Sequence, residues 1–447
     1  MGRLDHGHLN VPAAALAPAP PRSLADTRLP EALVVDIILR RLARVGELRA
    51  ADLAGQLGVA LSVIEPVLAG LRAQGLLVVP RRGSFDADVC YALSQAGRQQ
   101  ATEAGARGQY AGSLPVALSD YVRQVRRQAT RGLAIDRQAV RRALGDAVVS
   151  EALLTRLGTA LNSGRSIYLY GPSGAGKTFL AQRLARTAIG TIRVPRALYV
   201  EGEIIQFFDP LVHVPVEQLA PAGLLDRQAA VDRRWVETRR PVVATGGELT
   251  LAALDLEPGR SAHGLQAPPQ LKANNGVLIV DDLGRQRVPV RELMNRWIVP
   301  LDRGVDFMTL PTGASFELPF DVTVIFSSNL TPAAIGDPAL LRRLAYKIPV
   351  GALDEEGYRR VVRQACARAG FEHSEFAADF LIRVLHAEYD LALYATIPYD
   401  VIGKLRDRAL FLGEPARLDA ESLRWAWDLY LAPDGGPDGA RSLDDLR

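Results

Sequence analysis

Eight consecutive residues, Gly171-Pro172-Ser173-Gly174-Ala175-Gly176-Lys177-Thr178, fit the phosphate-binding pattern G-x-x-x-x-G-K-[ST]. The glycines let backbone N–H groups close on an anion without a Cβ in the way. Lys177 is placed to reach the β- and γ-phosphates of a nucleoside triphosphate, and the Thr178 hydroxyl to hold Mg²⁺. The chain has only four lysines, which argues against a chance match. The flanks agree: Ser166 to Tyr170 reads as an apolar strand, and Phe179 to Ala185 as a helix whose positive dipole end faces the same anion.

Three further groups could complete such a site. Asn275 to Asp282 is an apolar run ending in two acids, apolar on both faces as a buried parallel strand is. Asp281 would join the Mg²⁺ shell and Asp282 would orient or polarise the attacking water. A third strand, Val322 to Asn329, ends in a polar cluster, where Asn329 could hydrogen-bond both the γ-phosphate and the water. Arg342 and Arg343 then close a short helix from Asp337, and cations there could stabilise transition-state charge in a neighbouring subunit's site. Each group also has a plainer reading: an acidic turn after a buried strand, an Asn that starts a turn, a solvated helix end.

With 447 residues the chain has room for two or three domains, and 48% apolar and 23% charged residues are ordinary for a soluble globular protein. It contains no apolar run of the roughly 18 residues a membrane span needs, so no membrane insertion is expected. Val11 to Pro21 is too short and too rich in proline for a signal-peptide core. Cys90 and Cys366 fit neither a disulfide framework nor a metal spacing, which points to a reducing cytoplasm. Nothing indicates a protease, a nuclease or a metal site beyond Mg²⁺. Residues 1–150 carry a net +6 and the remainder −3. A basic N-terminal part could favour nucleic acid. Arginine supplies nearly all the basic charge throughout the chain, so no single arginine patch stands out.

Around the phosphate loop the chain divides into a flexible arm (1–30), a small helical domain (31–104), a linker (105–135) that is Gly-rich and then a charged helical piece at Tyr121 to Gln128, a nucleotide-binding core (136–350), a helical lid (351–432) and a mobile tail (433–447). In the small domain, helices are expected over Glu31 to Arg44, from Leu48 to Gly58, and over Val63 to Gln74 capped by Ser62. Strands follow at Leu76 to Val79 and Val89 to Leu93 around a turn at Arg81-Arg82-Gly83, then a helix from Ser94. This order resembles a winged helix-turn-helix. Its third helix offers only Glu65 and Arg72 for reading base edges, and Arg81 and Arg82 for phosphates. DNA binding through residues 31–104 and a protein-contact role are both open.

The order of phosphate loop, acidic strand end, Asn329 and paired arginines resembles the AAA+ ATPase family over roughly residues 136–430. The resemblance implies an α/β core with a parallel sheet, a helical lid, ATP and Mg²⁺ as ligands, and a homo-oligomeric ring or partial ring with shared sites. A hairpin formed by Phe307 to Leu310 and Ser315 to Leu318, directly ahead of the Asn329 strand, is similar to that of the pre-sensor hairpin branch, which includes MoxR-type chaperones. That likeness implies ATP-driven remodelling of a macromolecular, chiefly protein, client. A nucleotide-switched DNA-binding regulator or loader is the alternative. The chain departs from the family in two places: Asp281-Asp282 stands where Asp-Glu is usual, and Ile397-Pro398-Tyr399-Asp400 lacks the lid arginine, for which Arg406 is a candidate substitute. Residues 201–265 read as an insertion with strands at Pro241 to Ala244 and Glu248 to Leu251, and His213 within it reads as structural.

Overall fold

The computed structural model describes residues 17–81, 89–129, 134–216, 231–258, 264–415 and 417–431. Residues 1–16, Arg82 and Gly83 of the expected turn, and the expected tail 433–447 lie outside them.

The N-terminal part runs α1 (Leu24–Thr27), α2 (Glu31–Val45), β1 (Glu47–Arg49), α3 (Ala50–Leu57), α4 (Leu61–Ala73), β2 (Leu77–Val78), β3 (Cys90–Leu93) and α5 (Gln95–Arg107). The helical spacing of Val34, Ile37, Ile38 and Leu42 buries one face of α2 against Leu53 and Leu57 of α3 and Ile64, Val67 and Leu68 of α4. The three strands form an antiparallel sheet in the order β1-β3-β2. Three expectations change here. Leu48 belongs to β1, opposite Tyr91, and the second helix starts only at Ala50. Helix α4 starts at Leu61 after Ala60, so Ser62 sits inside its first turn and does not cap it. Residues 17–30 are no free arm. Ser23 and Asp26 make a reciprocal capping box on α1, Thr27 and Leu29 are buried, and Arg28 pairs with Asp120 at 2.9 Å.

The stretch expected as a linker contains β4 (Val116–Ala117) and α6 (Leu118–Arg127), and α6 buries Tyr121, Gln124 and Val125. Its apolar and amide side chains hold it, as described below. Then come α7 (Arg137–Leu144), α8 (Glu151–Ser163), β5 (Ile167–Tyr170) and α9 (Lys177–Ala185). Beyond α9 lie β6 (Thr191–Pro195), β7 (Ala197–Val200), β8 (Glu203–Gln206), β9 (Trp235–Arg239), β10 (Val242–Thr245), β11 (Glu257–Pro258), β12 (Leu265–Gln266) and α10 (Pro269–Lys272). A second sheet has the order β11-β12-β8-β7-β4, and β6 pairs with β9. The supposed insertion is therefore divided. β10 belongs to the central sheet, whereas residues 248–251 form no strand.

The rest of the core is β13 (Gly276–Val280), α11 (Val290–Arg303), the hairpin β14 (Val305–Thr309) and β15 (Ser315–Pro319), β16 (Val322–Ser328), α12 (Pro332–Ile335), α13 (Pro338–Arg343) and β17 (Tyr346–Pro349). The central sheet is wholly parallel in the order β10-β13-β16-β5-β17. Alternation explains its two layers. Ile167, Leu169, Val277, Ile279, Ile325 and Ile348 meet α8 and α9 on one face, while Tyr168, Leu278, Val280, Val324 and Phe326 meet Met294 and Trp297 of α11 on the other. The core is a P-loop α/β fold.

A helical lid follows: α14 (Glu355–Ala369), α15 (Glu375–Phe380) continued by a π-helical turn to His386, α16 (Ile397–Leu412) and α17 (Ala420–Leu431). Its core gathers Tyr358, His386, Val401, Leu405 and Trp427. Among the described residues no single helix is long and apolar enough to cross a membrane.

Two buried histidines are held neutral. His213 accepts the Asp209 N–H at Nδ1 (3.0 Å) and donates from Nε2 to the Lys272 carbonyl (3.0 Å), between the rings of Phe207 and Phe208. His386 accepts the Tyr358 hydroxyl at Nε2 (2.7 Å) and donates from Nδ1 to the Leu391 carbonyl (2.9 Å). Burial pushes both imidazoles below the ordinary histidine value. In the unfolded chain both protonate as pH falls through about 6.5, before they do so in the folded one. Stability is therefore full above that pH and declines below it. Thermal unfolding midpoints should fall as pH drops from 7.5 to 5.5, and His386→Gln should flatten the fall. An unchanged slope would contradict this account.

Candidate nucleotide-phosphate site

Parallel pairing sets the site. Tyr168 lies opposite Phe326, which lies opposite Val280, so β5 and β16 end level at Tyr170 and Ser328, and β13 ends two residues short of them. Ligands of open α/β sheets bind at such carboxyl ends. Here β5 leads into the Gly171–Thr178 loop, β13 into Asp281-Asp282 and β16 into Asn329.

The loop conformation depends on its glycines. Gly171 has φ +149°, and a Cβ there would stand 2.0 Å from the Val350 carbonyl oxygen. Gly174 (φ +79°) would drive a Cβ to 2.7 Å from Thr396 Oγ1 at the start of α16. Gly176 (φ +91°) precedes the first turn of α9. Pro172 and Ser173 are exposed and Ala175 is buried. Lys177 is 5% exposed and donates from Nζ to the Pro172 carbonyl at 2.8 Å, bridging its own loop. Burial lowers its pKa, opposed by the carboxylates of Asp282 and Asp281. Thr178 Oγ1 donates to Asp281 Oδ1 at 2.9 Å, joining α9 to β13 across 103 residues of sequence. Ser327 Oγ donates to the same oxygen. Asp282 takes a left-handed φ of +50°. Asn329 is exposed just beyond β16.

The donor set suits a triphosphate with a hard divalent cation. A buried lysine in a glycine-lined cradle faces two carboxylates, and a hydroxyl–carboxylate pair offers oxygen ligands. Among the described residues no cluster of three or more His, Cys, Asp or Glu forms a separate metal cage.

Beside the loop lies a cavity of about 750 Å³, bounded by Ala175 and Gly176, α9 residues Phe179 and Arg183, the 146–153 segment and the lid. Core and lid are bonded across it. Gln364 donates to the Asp146 carbonyl (2.7 Å), Tyr399 donates to Gln364 Oε1 (3.1 Å), and Arg183 pairs with Asp146 (2.7 Å). Thr396 Oγ1 donates to the Gly174 carbonyl (3.2 Å). Arg368 lies over the Tyr399 ring, 5.9 Å from its centroid, and also lines the cavity.

Other expected residues lie elsewhere. Arg343 is turned back onto its own chain, donating to Asp302 (2.8 Å) and the Ala339 carbonyl, while Arg342 is exposed. Neither lines the cavity. Arg406 pairs with its neighbour Asp407 and does not line it either. Sequence reasoning missed Ser327, Gln286, Gln364 and Arg368. Ser327-Ser328 carried a signal, as hydroxyls in an otherwise apolar strand beside Asn329. Gln286 follows Asp282 by four residues without a pattern of its own, and Gln364 and Arg368 lie far from any motif.

Residues 354–429 match a family model described as a domain of unknown function (DUF8689). No curated protein matches the chain. Among solved structures, a Thermotoga maritima RuvB Holliday junction branch migration motor is similar over 63% of this chain and 70% of its own, with 14% identity and a TM-score of 0.36. NtrX from Brucella abortus in complex with ATP is similar over 83% and 70%, with 15% identity and a TM-score of 0.41. The ADP complex of that protein gives 72% and 68%, 16% identity and 0.38. The α/β class of the core rests on its own strand order.

Gly171→Ala should displace the loop from Val350. The overpacking should destabilise the chain by about 1–3 kcal/mol and weaken triphosphate binding, read by denaturation and by titration with a fluorescent ATP analogue. Wild-type affinity in this variant would show that the loop tolerates the shift.

Proposed function

We propose that the chain binds ATP with Mg²⁺ at this site and hydrolyses it, as an AAA+-type ATPase that remodels a macromolecular, chiefly protein, partner. The observation that carries the reading is the Thr178–Asp281 hydrogen bond at the mouth of a loop already bridged by Lys177. Gly171, Pro172, Ser173, Gly174, Ala175 and Gly176 would present backbone N–H groups to the phosphates, with Lys177 at the β- and γ-phosphates. Mg²⁺ would be held through Thr178 and Asp281, and when bound it neutralises charge developing on the phosphate oxygens. Asp282 would orient water, whose oxygen bonds to the γ-phosphorus as the bond to the β-phosphate oxygen breaks, leaving ADP and phosphate. Asn329 would hold both the water and the γ-phosphate. The nucleoside would occupy the cavity beside Ala175 and Gly176, where lid and core are bonded.

The hairpin β14–β15 directly ahead of β16 supports the pre-sensor hairpin branch, and with it a remodelling activity. Exposed Arg342 suits donation to a neighbouring copy in a homo-oligomer, and Arg343, paired with Asp302, suits holding α13 in place. The three helices and antiparallel sheet of the N-terminal part support a winged-helix module. The outer face of α4 presents Ser62, Glu65, Pro66, Ala69 and Arg72, whose two charges cancel. Arg81, the described wing residue, pairs with Glu47 at 3.4 Å. This surface favours a protein contact over a DNA phosphate grip. The cysteine usage suits a cytoplasmic setting.

Light scattering after size exclusion, with and without ATP, paired with phosphate release, tests the reading. ATP-dependent assembly with turnover is expected. Lys177→Ala should reduce turnover by about 10²-fold or more, and undiminished turnover in that variant would overturn the assignment. Arg342→Ala should slow hydrolysis only in the assembled state. A nucleotide-bound monomer without turnover, with salt-sensitive binding to arbitrary duplex DNA, would favour the switched DNA-binding alternative.

A further inference from the structure

Ser327 is a fully buried hydroxyl residue inside an apolar strand, and three bonds tie it to the turn after β13. Its Oγ donates to Asp281 Oδ1. The same Oγ accepts the Asp282 backbone N–H at 3.4 Å, and its carbonyl accepts the Leu283 N–H at 2.8 Å. Three successive residues of the acidic turn are thus registered on one residue of β16. The turn needs such support, because Asp282 holds a left-handed conformation that non-glycine residues seldom take. Gln286 supports it from the other side. Its Nε2 donates to the Asp281 carbonyl (3.0 Å) and the Gly246 carbonyl (3.2 Å), and its Oε1 accepts the Gly284 N–H (2.9 Å).

We infer that Ser327 is a positioning residue for both carboxylates, fixing the rotation of the Asp281 carboxylate and the backbone from which Asp282 projects. The inference rests on the ATPase reading above. Asp281 Oδ1 takes two hydroxyl hydrogens, from Thr178 and Ser327. Among the described residues Oδ2 has no hydrogen-bond donor. With Thr178 alone the carboxylate could swing about its own axis. The second donor, carried by a strand packed on both faces, removes that freedom. Asp281 then meets a divalent cation already oriented, and little of the binding free energy is spent on ordering it. Because the same hydroxyl receives the Asp282 N–H, its loss would loosen both acids together.

Ser327→Ala and Ser327→Thr test this in the full chain. Three quantities are read: metal-free affinity for a fluorescent ATP analogue, Mn²⁺ affinity from the free Mn²⁺ electron paramagnetic resonance signal with a non-hydrolysable ATP analogue present, and steady-state hydrolysis. A hydrogen bond to a charged group corresponds to about tenfold or more in an equilibrium. In Ser327→Ala, Mn²⁺ affinity and kcat should therefore each fall by about tenfold, with KM for ATP and metal-free nucleotide affinity essentially unchanged. Ser327→Thr, which restores the hydroxyl, should recover most of the loss. Wild-type Mn²⁺ affinity and kcat in the alanine variant would overturn the inference. So would a loss of metal-free nucleotide binding in both variants with lowered unfolding midpoints, which would assign Ser327 a packing role. If the wild type itself does not turn over ATP, the ATPase reading fails, while the Mn²⁺ measurement still decides the role of Ser327.

Discussion

The register of the parallel central sheet is the constraint on which the rest depends. With β5 seated between β16 and β17, and β13 outside β16, the three segments that carry the site leave the carboxyl edge of the sheet side by side. A slip by one residue would exchange the two faces of a strand, moving Tyr168 or Phe326 among the α8 and α9 contacts and the opposite set against α11. The packing of both layers thus specifies the relative positions of Lys177, Asp281 and Ser327. At the turn itself, the absence of a Cβ at Gly171 lets the loop pass the Val350 carbonyl as it leaves the sheet.

The opposite end of the sheet is held by buried amides. Asn275, with φ +60°, donates to the Val125 carbonyl of α6 (3.0 Å) and to Asp321 (2.7 Å), and accepts from Gln128 (2.9 Å). Gln128 also exchanges hydrogen bonds with the backbone of Arg193. Asn274 donates to the Tyr121 hydroxyl and the Pro319 carbonyl, both at 2.8 Å. Arg240 donates to the carbonyls of Gln128 (3.1 Å) and Asn275 (2.7 Å). Each such bond contributes about 1 kcal/mol net, and each left unmade while buried costs about 1–3 kcal/mol. This makes α6 part of the core rather than a tether. It joins the N-terminal module and the second sheet directly to the strand that ends in Asp281.

Legibility of the chain followed the range of the interactions. Helix spacing, as in Val34, Ile37, Ile38 and Leu42, and the mainly apolar runs of β13 and β16 could be read because they are local patterns. The errors arose where distant partners set the outcome. Tyr91 drew Leu48 into a strand, and Val277 to Val280 drew residues 242–245 into the central sheet. The helical piece at Tyr121 to Gln128 could be read locally, but Asn275 and Arg193 clamp it to the core where a linker was expected. Ser62 lost the cap position because α4 begins at Leu61, two residues earlier than expected.

For the site, the residue types and spacing of Gly171 to Thr178 and Asp281-Asp282 were enough to name the phosphate loop and the acids, since that chemistry is written in contiguous residues. Whether they meet, and what holds them, was decided by tertiary structure alone. Thr178 and Asp281 are 103 positions apart, Ser327 lies 46 beyond Asp281, and Gln364 reaches Asp146 across 218. Hydrogen bonds act over about 3 Å and leave no periodic trace in a chain. Only the packed sheet and the lid lying on it could bring such donors and acceptors together.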